Sequence, residues 1–265
     1  MLYKAVNRIR GWILAMLKWT QSAPPREIPA ELDESYTLQG QIPVQNRYRN
    51  DVYPSFIPRF YSRSEVNTYI NKATRKEAFY YKKTSTWMYE AIEKYSIKGC
   101  DVAVMGSTFP TCEAICLAYG AQPTSIEYNK IVSIDGRLNL LTVDEFTRNP
   151  RIFDAAFSIS SFEHDGLGRY GDPLNPDGDL DAMKYMKSVV KPNGLLFLAV
   201  PVGSDALVWN LHRIYGKLRL PMLLHEWRVL DSFGFEEEHF CRERYQFEQP
   251  VFVLENIQTS ATACP

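Results

Sequence analysis

From residue 100 onward, the chain alternates short apolar runs with segments in which apolar residues recur at helical spacing. Short apolar runs without alternation are typical of strands that are buried on both faces of a sheet. We predict five such strands, at 101–105, 125–128, 138–141, 153–159 and 195–200, and helices at 111–119 and 180–190. Residues 227–233 and 249–254 supply the last elements. Strands that alternate with helices predict an α/β, Rossmann-like, doubly wound and mainly parallel sheet.

The chain before residue 100 has a different pattern. Residues 1–19 carry apolar positions at helical spacing, and their apolar stretch is shorter than the ~20 residues that span a bilayer. We expect an amphipathic helix there, either packed on its own domain or lying on a membrane surface as a peripheral contact. Six prolines between residues 20 and 60 indicate an extended connector. The predicted units are therefore 1–63, a helical lead-in at 64–99, the α/β domain at 100–258 and a tail at 259–265.

Charge and cysteine content exclude some classes of protein. Lys plus Arg number 30 and Asp plus Glu number 31, so no electrostatic feature favours a nucleic-acid partner. The five cysteines are an odd, scattered set, which argues against a disulfide scaffold. We expect a cytoplasmic protein.

A polar loop, residues 160–179, directly follows the predicted strand at 153–159. It contains the run Glu163-His164-Asp165 and several further charged residues. Open α/β folds bind ligands beyond the carboxyl ends of their strands, so we expect this loop to carry chemistry.

Two further strand ends indicate a nucleoside site. Gly106 follows the first strand and allows a ligand to approach the backbone closely, and Ser107 offers donors beside it. Glu127, about 20 residues on, is placed to accept hydrogen bonds from ribose hydroxyls. The loop has one glycine rather than the G-x-G-x-x-G of a dinucleotide site, which favours an adenosyl ligand without phosphates.

The runs 102–106, 125–127, 153–158 and 189–198 together resemble a class I S-adenosylmethionine-dependent methyltransferase. More closely, residues 163–173 and 210–216 are similar to an uncharacterised family first catalogued from nematode sequences. The resemblance implies S-adenosyl-L-methionine as cofactor, with Gly106 and Ser107 at its methionine part and Glu127 at its ribose. It also implies that Asp144 approaches the adenine and that Ser160 lines the cofactor.

Methyl transfer to a hydroxyl requires a base, and His164 is the expected one because its ordinary pKa lies near neutrality. Asp165 or Glu163 would orient it; alternatively, this run only shapes the pocket. We expect the acceptor, a small molecule or a glycan, to contact the following residues: Arg169, Tyr170, Asp172, His212 and Arg213.

Two alternatives stay open at the level of sequence. The first motif lacks the family's usual second glycine, which favours a methyltransferase-fold protein that binds a ligand without catalysis. The carboxylates between Asp172 and Asp179 would suit a divalent cation in a sugar-nucleotide enzyme. Their spacing does not match a calcium loop, so we expect no metal and interpret them as turn and helix-capping residues.

Overall fold

The computed structural model describes residues 23–51 and 58–257. The amphipathic helix predicted at 1–19 and the tail predicted at 259–265 lie outside the described residues. None of the helices in the described part of the chain is long and apolar enough to cross a membrane.

Seven helices and fourteen strands are described. The helices are α1 (Ala30–Tyr36), α2 (Arg63–Thr74), α3 (Lys82–Lys94), α4 (Thr111–Ala118), α5 (Val143–Arg148), α6 (Gly178–Val189) and α7 (Arg219–Leu223). The strands are β1 (Val44–Asn46), β2 (Arg59–Tyr61), β3 (Asp101–Met105), β4 (Gln122–Glu127), β5 (Ile131–Ser133), β6 (Asn139–Thr142), β7 (Phe153–Ile159), β8 (Val190–Ala199), β9 (Val202–Gly203), β10 (Ala206–Trp209), β11 (His212–Ile214), β12 (Arg228–Phe233), β13 (Phe247–Glu248) and β14 (Val251–Glu255). Short 3₁₀ turns occupy Phe162–His164 and Glu237–Cys241.

A seven-stranded sheet forms the centre of the protein, in the order β12-β14-β8-β7-β3-β4-β6. Its strands are parallel except β14, which runs antiparallel to both of its neighbours. Residues of α5 and α6 pack in the apolar cluster on one face, and residues of α3 and α4 pack in the cluster on the other. This arrangement confirms the predicted α/β fold with a mainly parallel sheet covered on both faces.

The register of the sheet brings three predicted site segments together. Met105, at the end of β3, lies opposite Ile126 of β4 and Ser158 of β7. The residues that follow these positions, Gly106, Glu127 and Ser160, therefore leave the sheet at the same edge.

The N-terminal part is more structured than its prolines predict. The segment expected to be an extended connector contains α1 and β1, and β1 pairs in parallel with β10. Tyr36 of α1 packs with Leu207 and Trp209 of β10 in a small core of their own. The strand β2 likewise pairs with β5. The connector is thus part of the fold, because long-range strand pairing satisfies its backbone groups.

The segment predicted as a helical lead-in, 64–99, contains the two helices α2 and α3. Ser62 caps α2 by accepting a hydrogen bond from the Glu65 amide at 3.1 Å. The chain leaves the helix after Thr74, and Lys76 has a φ of +55°. The turn that follows places Tyr80 and Tyr81 immediately before α3, where both side chains line a cavity.

Candidate functional site

A cavity of about 820 Å³ opens at the carboxyl edge of the central sheet. This volume lies in the upper part of the range of roughly 300–1,000 Å³ that is typical of small-molecule sites. Residues from the ends of β3, β4 and β7 line it, together with residues of the N-terminal segment. Most of the predicted site residues line this cavity: Gly106, Ser107, Glu127, Ser160, Glu163, His164, Asp165, Arg169, Tyr170, Asp172 and His212.

On the cavity wall, just after β3, Gly106 has a conformation that requires glycine. Its φ is +75°, and a Cβ placed there would lie 2.5 Å from the Ser161 hydroxyl oxygen. A larger residue would therefore be strained by its backbone and would also fill the space beside the loop. The glycine leaves bare backbone at the point where β3 meets the cavity.

Glu127 lies across this loop at the end of β4. Its Oε2 accepts a hydrogen bond from the Ser107 amide at 2.7 Å, and its Oε1 accepts one from the Tyr128 amide at 2.8 Å. Burial raises the pKa of Glu127, and these hydrogen bonds and the charge of Arg59 act in the opposite direction. The carboxyl is held in place on the cavity wall by backbone amides.

Beneath the loop lies a buried carboxyl that the sequence analysis missed. Glu113 of α4 is fully buried, and its Oε1 accepts hydrogen bonds of 2.6 Å from the hydroxyls of both Ser107 and Ser125. Tyr61 of β2 reaches the Ser107 hydroxyl at 2.9 Å, and Arg59 donates to the Ser107 carbonyl at 2.8 Å. The first turn of a helix after a glycine loop was the available signal for Glu113. The contribution of β2 had none, because it depends on long-range pairing.

On the cavity wall formed after β7, Glu163 follows the turn at Ser160. Ser160 has a φ of +54°, which turns the chain out of β7, and its hydroxyl donates to Glu163 Oε1 at 2.7 Å. Gln249, which the sequence analysis also missed, donates to Ser160 at 3.1 Å and to Glu163 Oε1 at 3.4 Å. Among the described residues, Oε2 of Glu163 has no hydrogen-bond partner. Burial raises the pKa of Glu163 to about 7 although Ser160 and the charges of Arg169 and Arg213 lower it.

The two histidines of the cavity are neutral. Burial and the charge of Arg169 lower the pKa of His164 to about 3 and that of His212 to about 4. His164 Nδ1 lies 2.5 Å from the carbonyl oxygen of Leu211, so this nitrogen carries the proton and donates it to that oxygen. His164 Nε2 therefore carries a lone pair, and it lies 3.7 Å from Oε1 of Glu163.

Arg169 and Tyr170 form the wall beside the histidines. The Arg169 guanidinium donates to Asp51 at 2.8 Å and lies 4.8 Å from the centre of the Tyr170 ring. Asp51 itself lines the cavity and belongs to the N-terminal segment. Asp172 accepts hydrogen bonds from the amides of Gly168 and Tyr170, at 3.0 and 3.3 Å. It therefore has the turn-forming role that the sequence also allowed.

Arg213, which was expected to contact an acceptor, does not line the cavity. It is 3% exposed and donates to the carbonyl oxygens of Asp165 at 2.6 Å and Pro176 at 3.1 Å. Asp179 is fully buried and accepts hydrogen bonds from Arg219, at 2.9 Å from Nε and 2.5 Å from a terminal nitrogen. These two arginines fasten the polar loop to the domain behind it. Sequence alone does not distinguish an inward arginine from an outward one.

The remaining predicted residues have separate surroundings. Asp165 lines the cavity, and burial together with the neighbouring charge of Asp172 raises its pKa. Asp144 is exposed in the first turn of α5, while its neighbour Val143 lines the cavity. Within residues 23–51 and 58–257, no group of three or more His, Cys, Asp and Glu side chains is placed to hold a metal ion.

Comparison with known protein families gives one match that covers more than half of the chain. The model of a family described as Caenorhabditis protein of unknown function, DUF268, matches residues 99–251. The chain belongs to the DUF268 family. This confirms the resemblance to a family first catalogued from nematode sequences. All of the predicted site residues lie within this matched range, whereas Asp51 and Arg59, which also line the cavity, lie before it.

Methyltransferases are among the solved structures similar to this DUF268 protein. One is 1,6-didemethyltoxoflavin-N1-methyltransferase of Burkholderia thailandensis, with bound 1,6-didemethyltoxoflavin and S-adenosylhomocysteine. It is 13% identical, with 72% of this chain and 79% of that chain covered and a TM-score of 0.49. Another is the N-methyltransferase NodS of Bradyrhizobium japonicum WM9, 10% identical, with 72% and 98% covered and a TM-score of 0.43. No curated protein matches the sequence.

Proposed function

We propose that this protein is an S-adenosylmethionine-dependent methyltransferase that methylates an oxygen atom of a small molecule. The observation that carries the proposal is the buried Glu163 carboxyl, whose Oε2 has no partner among the described residues. It lies on the wall of the same cavity as Gly106 and Glu127. A base beside a nucleoside-type site is what O-methylation requires.

The residues around Gly106 fit the cofactor. Because Gly106 has no Cβ, its backbone is open to the methionine part of the cofactor. Glu127 has carboxylate oxygens for the two ribose hydroxyls, and Val143 and Phe146 add apolar surface for a flat base. Asp144, exposed beside Val143, remains a predicted adenine contact, and Ser160 a predicted cofactor-lining residue.

S-adenosylmethionine, when bound, would supply a sulfonium methyl group for transfer to a nucleophile, and the electron pair of its C–S bond would remain on sulfur. The nucleophile here is an acceptor hydroxyl, and its proton passes to Oε2 of Glu163. A pKa of about 7 makes Glu163 a suitable base near neutral pH, because a useful fraction is ionised and still basic. His164, with its pKa lowered to about 3, is a much weaker base, so we assign it a positioning role beside Glu163.

Calorimetry with S-adenosylmethionine tests the first part of the proposal. Binding is expected. The absence of any heat of binding at millimolar cofactor would refute the proposed methyltransferase activity and favour a protein of the same fold that binds another ligand. Methyl transfer from radiolabelled cofactor, measured against a panel of small alcohols, phenols and glycans, tests the second part.

The pH dependence of transfer separates the two candidate bases. Because Glu163 acts when ionised, kcat/KM is expected to rise with pH and level off above about 7. The Glu163→Gln variant is expected to lose about 100-fold or more in kcat while keeping its cofactor affinity. His164→Asn should keep the rising limb near pH 7. A Glu163→Gln enzyme with wild-type turnover would rule out this base.

A further inference from the structure

Four rings in successive contact form one wall of the cavity that contains Glu163; they belong to Tyr170, His164, His212 and Phe247. Tyr170 contacts His164 edge to face with 5.6 Å between ring centres, and His164 lies 6.3 Å from His212. His212 in turn contacts Phe247 at 5.3 Å. Phe247 is 37% exposed, so the wall extends from the buried loop to the mouth of the cavity.

Rings from another part of the chain line the same cavity. Tyr80 and Tyr81 precede α3 and contact each other edge to face at 5.1 Å. Both tyrosines line the cavity together with Ser160, whose hydroxyl donates to Oε1 of Glu163. His164 Nε2 lies 3.7 Å from that same oxygen, so aromatic residues from two separate segments line the cavity that contains Glu163.

We propose that the acceptor is a flat aromatic or heteroaromatic ring bearing a hydroxyl group, held among these rings with its hydroxyl at Oε2 of Glu163. The inference rests on the function proposed above and narrows the class of acceptor. Flat rings pack against aromatic side chains in offset or edge-to-face arrangements, for which the four-ring wall and the tyrosine pair supply the surface.

The polar groups around the rings argue against a sugar. Several hydroxyls of a buried sugar would need partners, and each one left unpaired is costly. Around Glu163, Arg169 is held by Asp51, and the carboxyl of Asp172 accepts from backbone amides. Of the buried side-chain atoms described there, Oε2 of Glu163 and Nε2 of His212 have no partner, which is few for the several hydroxyls of a sugar. Gln249 donates to Ser160 and Glu163. A single ring hydroxyl needs fewer free partners than a sugar does.

Acidity points in the same direction. A phenolic hydroxyl has a pKa of about 10, within about three pH units of a carboxyl whose pKa is about 7. An aliphatic or sugar hydroxyl is closer to water, whose pKa is about 15.7, so the same carboxyl is poorly matched to it. Proton transfer to Glu163 therefore costs much less free energy from a ring hydroxyl than from an aliphatic or sugar hydroxyl.

Ligand-observed NMR on the protein loaded with S-adenosylhomocysteine tests the inference without turnover. The probes are 2-naphthol and 7-hydroxycoumarin, with decahydro-2-naphthol as the saturated counterpart of naphthol and methyl β-glucoside as the sugar. We expect both ring hydroxyls to bind at least tenfold more tightly than the saturated alcohol and the sugar. Phe247→Leu is expected to weaken naphthol binding at least threefold, whereas Phe60→Leu, an exposed aromatic position outside the cavity lining, leaves it unchanged.

The outcomes distinguish the two proposals. If S-adenosylhomocysteine binds but neither ring hydroxyl does, the inference is overturned and the proposed function stands. Equal binding of the saturated alcohol, or faster methylation of the sugar than of either ring hydroxyl, also overturns it. If S-adenosylhomocysteine itself fails to bind, the proposed function falls and the inference falls with it.

Discussion

Replacing Glu163 by glutamine is expected to stabilise the protein, and increasingly so as the pH rises. Glu163 is 1% exposed, and burial raises its pKa from 4.5 to about 7. Between these values, the folded protein keeps a proton that the unfolded chain releases, so the stability of the wild type falls as pH rises through this window. Glutamine has no such proton and keeps the hydrogen-bond acceptor for Ser160.

The size of the effect follows from the two pKa values. The full loss in the wild type is about 3 kcal/mol, of which about 1 kcal/mol has already occurred at pH 5. The difference in free energy of unfolding between variant and wild type is therefore expected to change by about 2 kcal/mol, in favour of the variant, between pH 5 and pH 8. Other buried acids are the same in both proteins, so their contribution largely cancels in this difference.

Urea unfolding at pH 5, 6, 7 and 8, followed by tryptophan fluorescence, measures this difference. Glu90→Gln, at an exposed position of α3, is the matched control and should track the wild type at every pH. A Glu163→Gln curve parallel to the wild type across this range would mean that the carboxyl is not desolvated in solution. The reasoning that makes it a base near pH 7 would then fail.

Three further outcomes are expected. Arg219→Met leaves the buried Asp179 with fewer partners, so it should lower the free energy of unfolding by about 3–5 kcal/mol and Tm by about 6–15 °C. Adding Asp179→Asn to this variant should recover part of the loss. Thermal unfolding followed by circular dichroism measures both effects, and strictly additive effects of the two substitutions would contradict the prediction. Gly106→Ala should weaken S-adenosylhomocysteine binding at least tenfold in calorimetry, while Gly136→Ala, with nothing within 4 Å of its added Cβ, should not. Glu127→Gln should also weaken that ligand, by about tenfold, and unchanged affinity would place the ribose elsewhere.

The parts of the site that the sequence predicted are those governed by local rules. Buried apolar runs predict strands, and in a parallel sheet their ends meet at one edge. Gly106, Glu127 and the polar loop could therefore be placed beside one another before any coordinates. The positive φ of Gly106 also follows from the residue type.

Burial and contacts between distant segments decide features that local patterns do not encode. His164 was the expected base because of its ordinary pKa; because desolvation lowers that pKa and raises the pKa of Glu163 beside it, we propose Glu163 as the base instead. Arg213 is buried against carbonyl oxygens rather than facing the cavity. Arg59 and Gln249 enter the site through strand pairing and long-range side-chain contacts that no local pattern encodes.

The short strands of the N-terminal segment have a consequence for how the cavity can vary. Asp51, between β1 and β2, and Arg59 in β2 contribute to its wall, yet neither belongs to the central sheet. Substitutions in this segment can change the shape and charge of the cavity mouth while the scaffold and Glu163 stay the same. A fragment cut to start at residue 99 would lose this side of the cavity and also α3, whose apolar residues cover one face of the central sheet, and would be a poor substitute for the whole chain in a search for ligands.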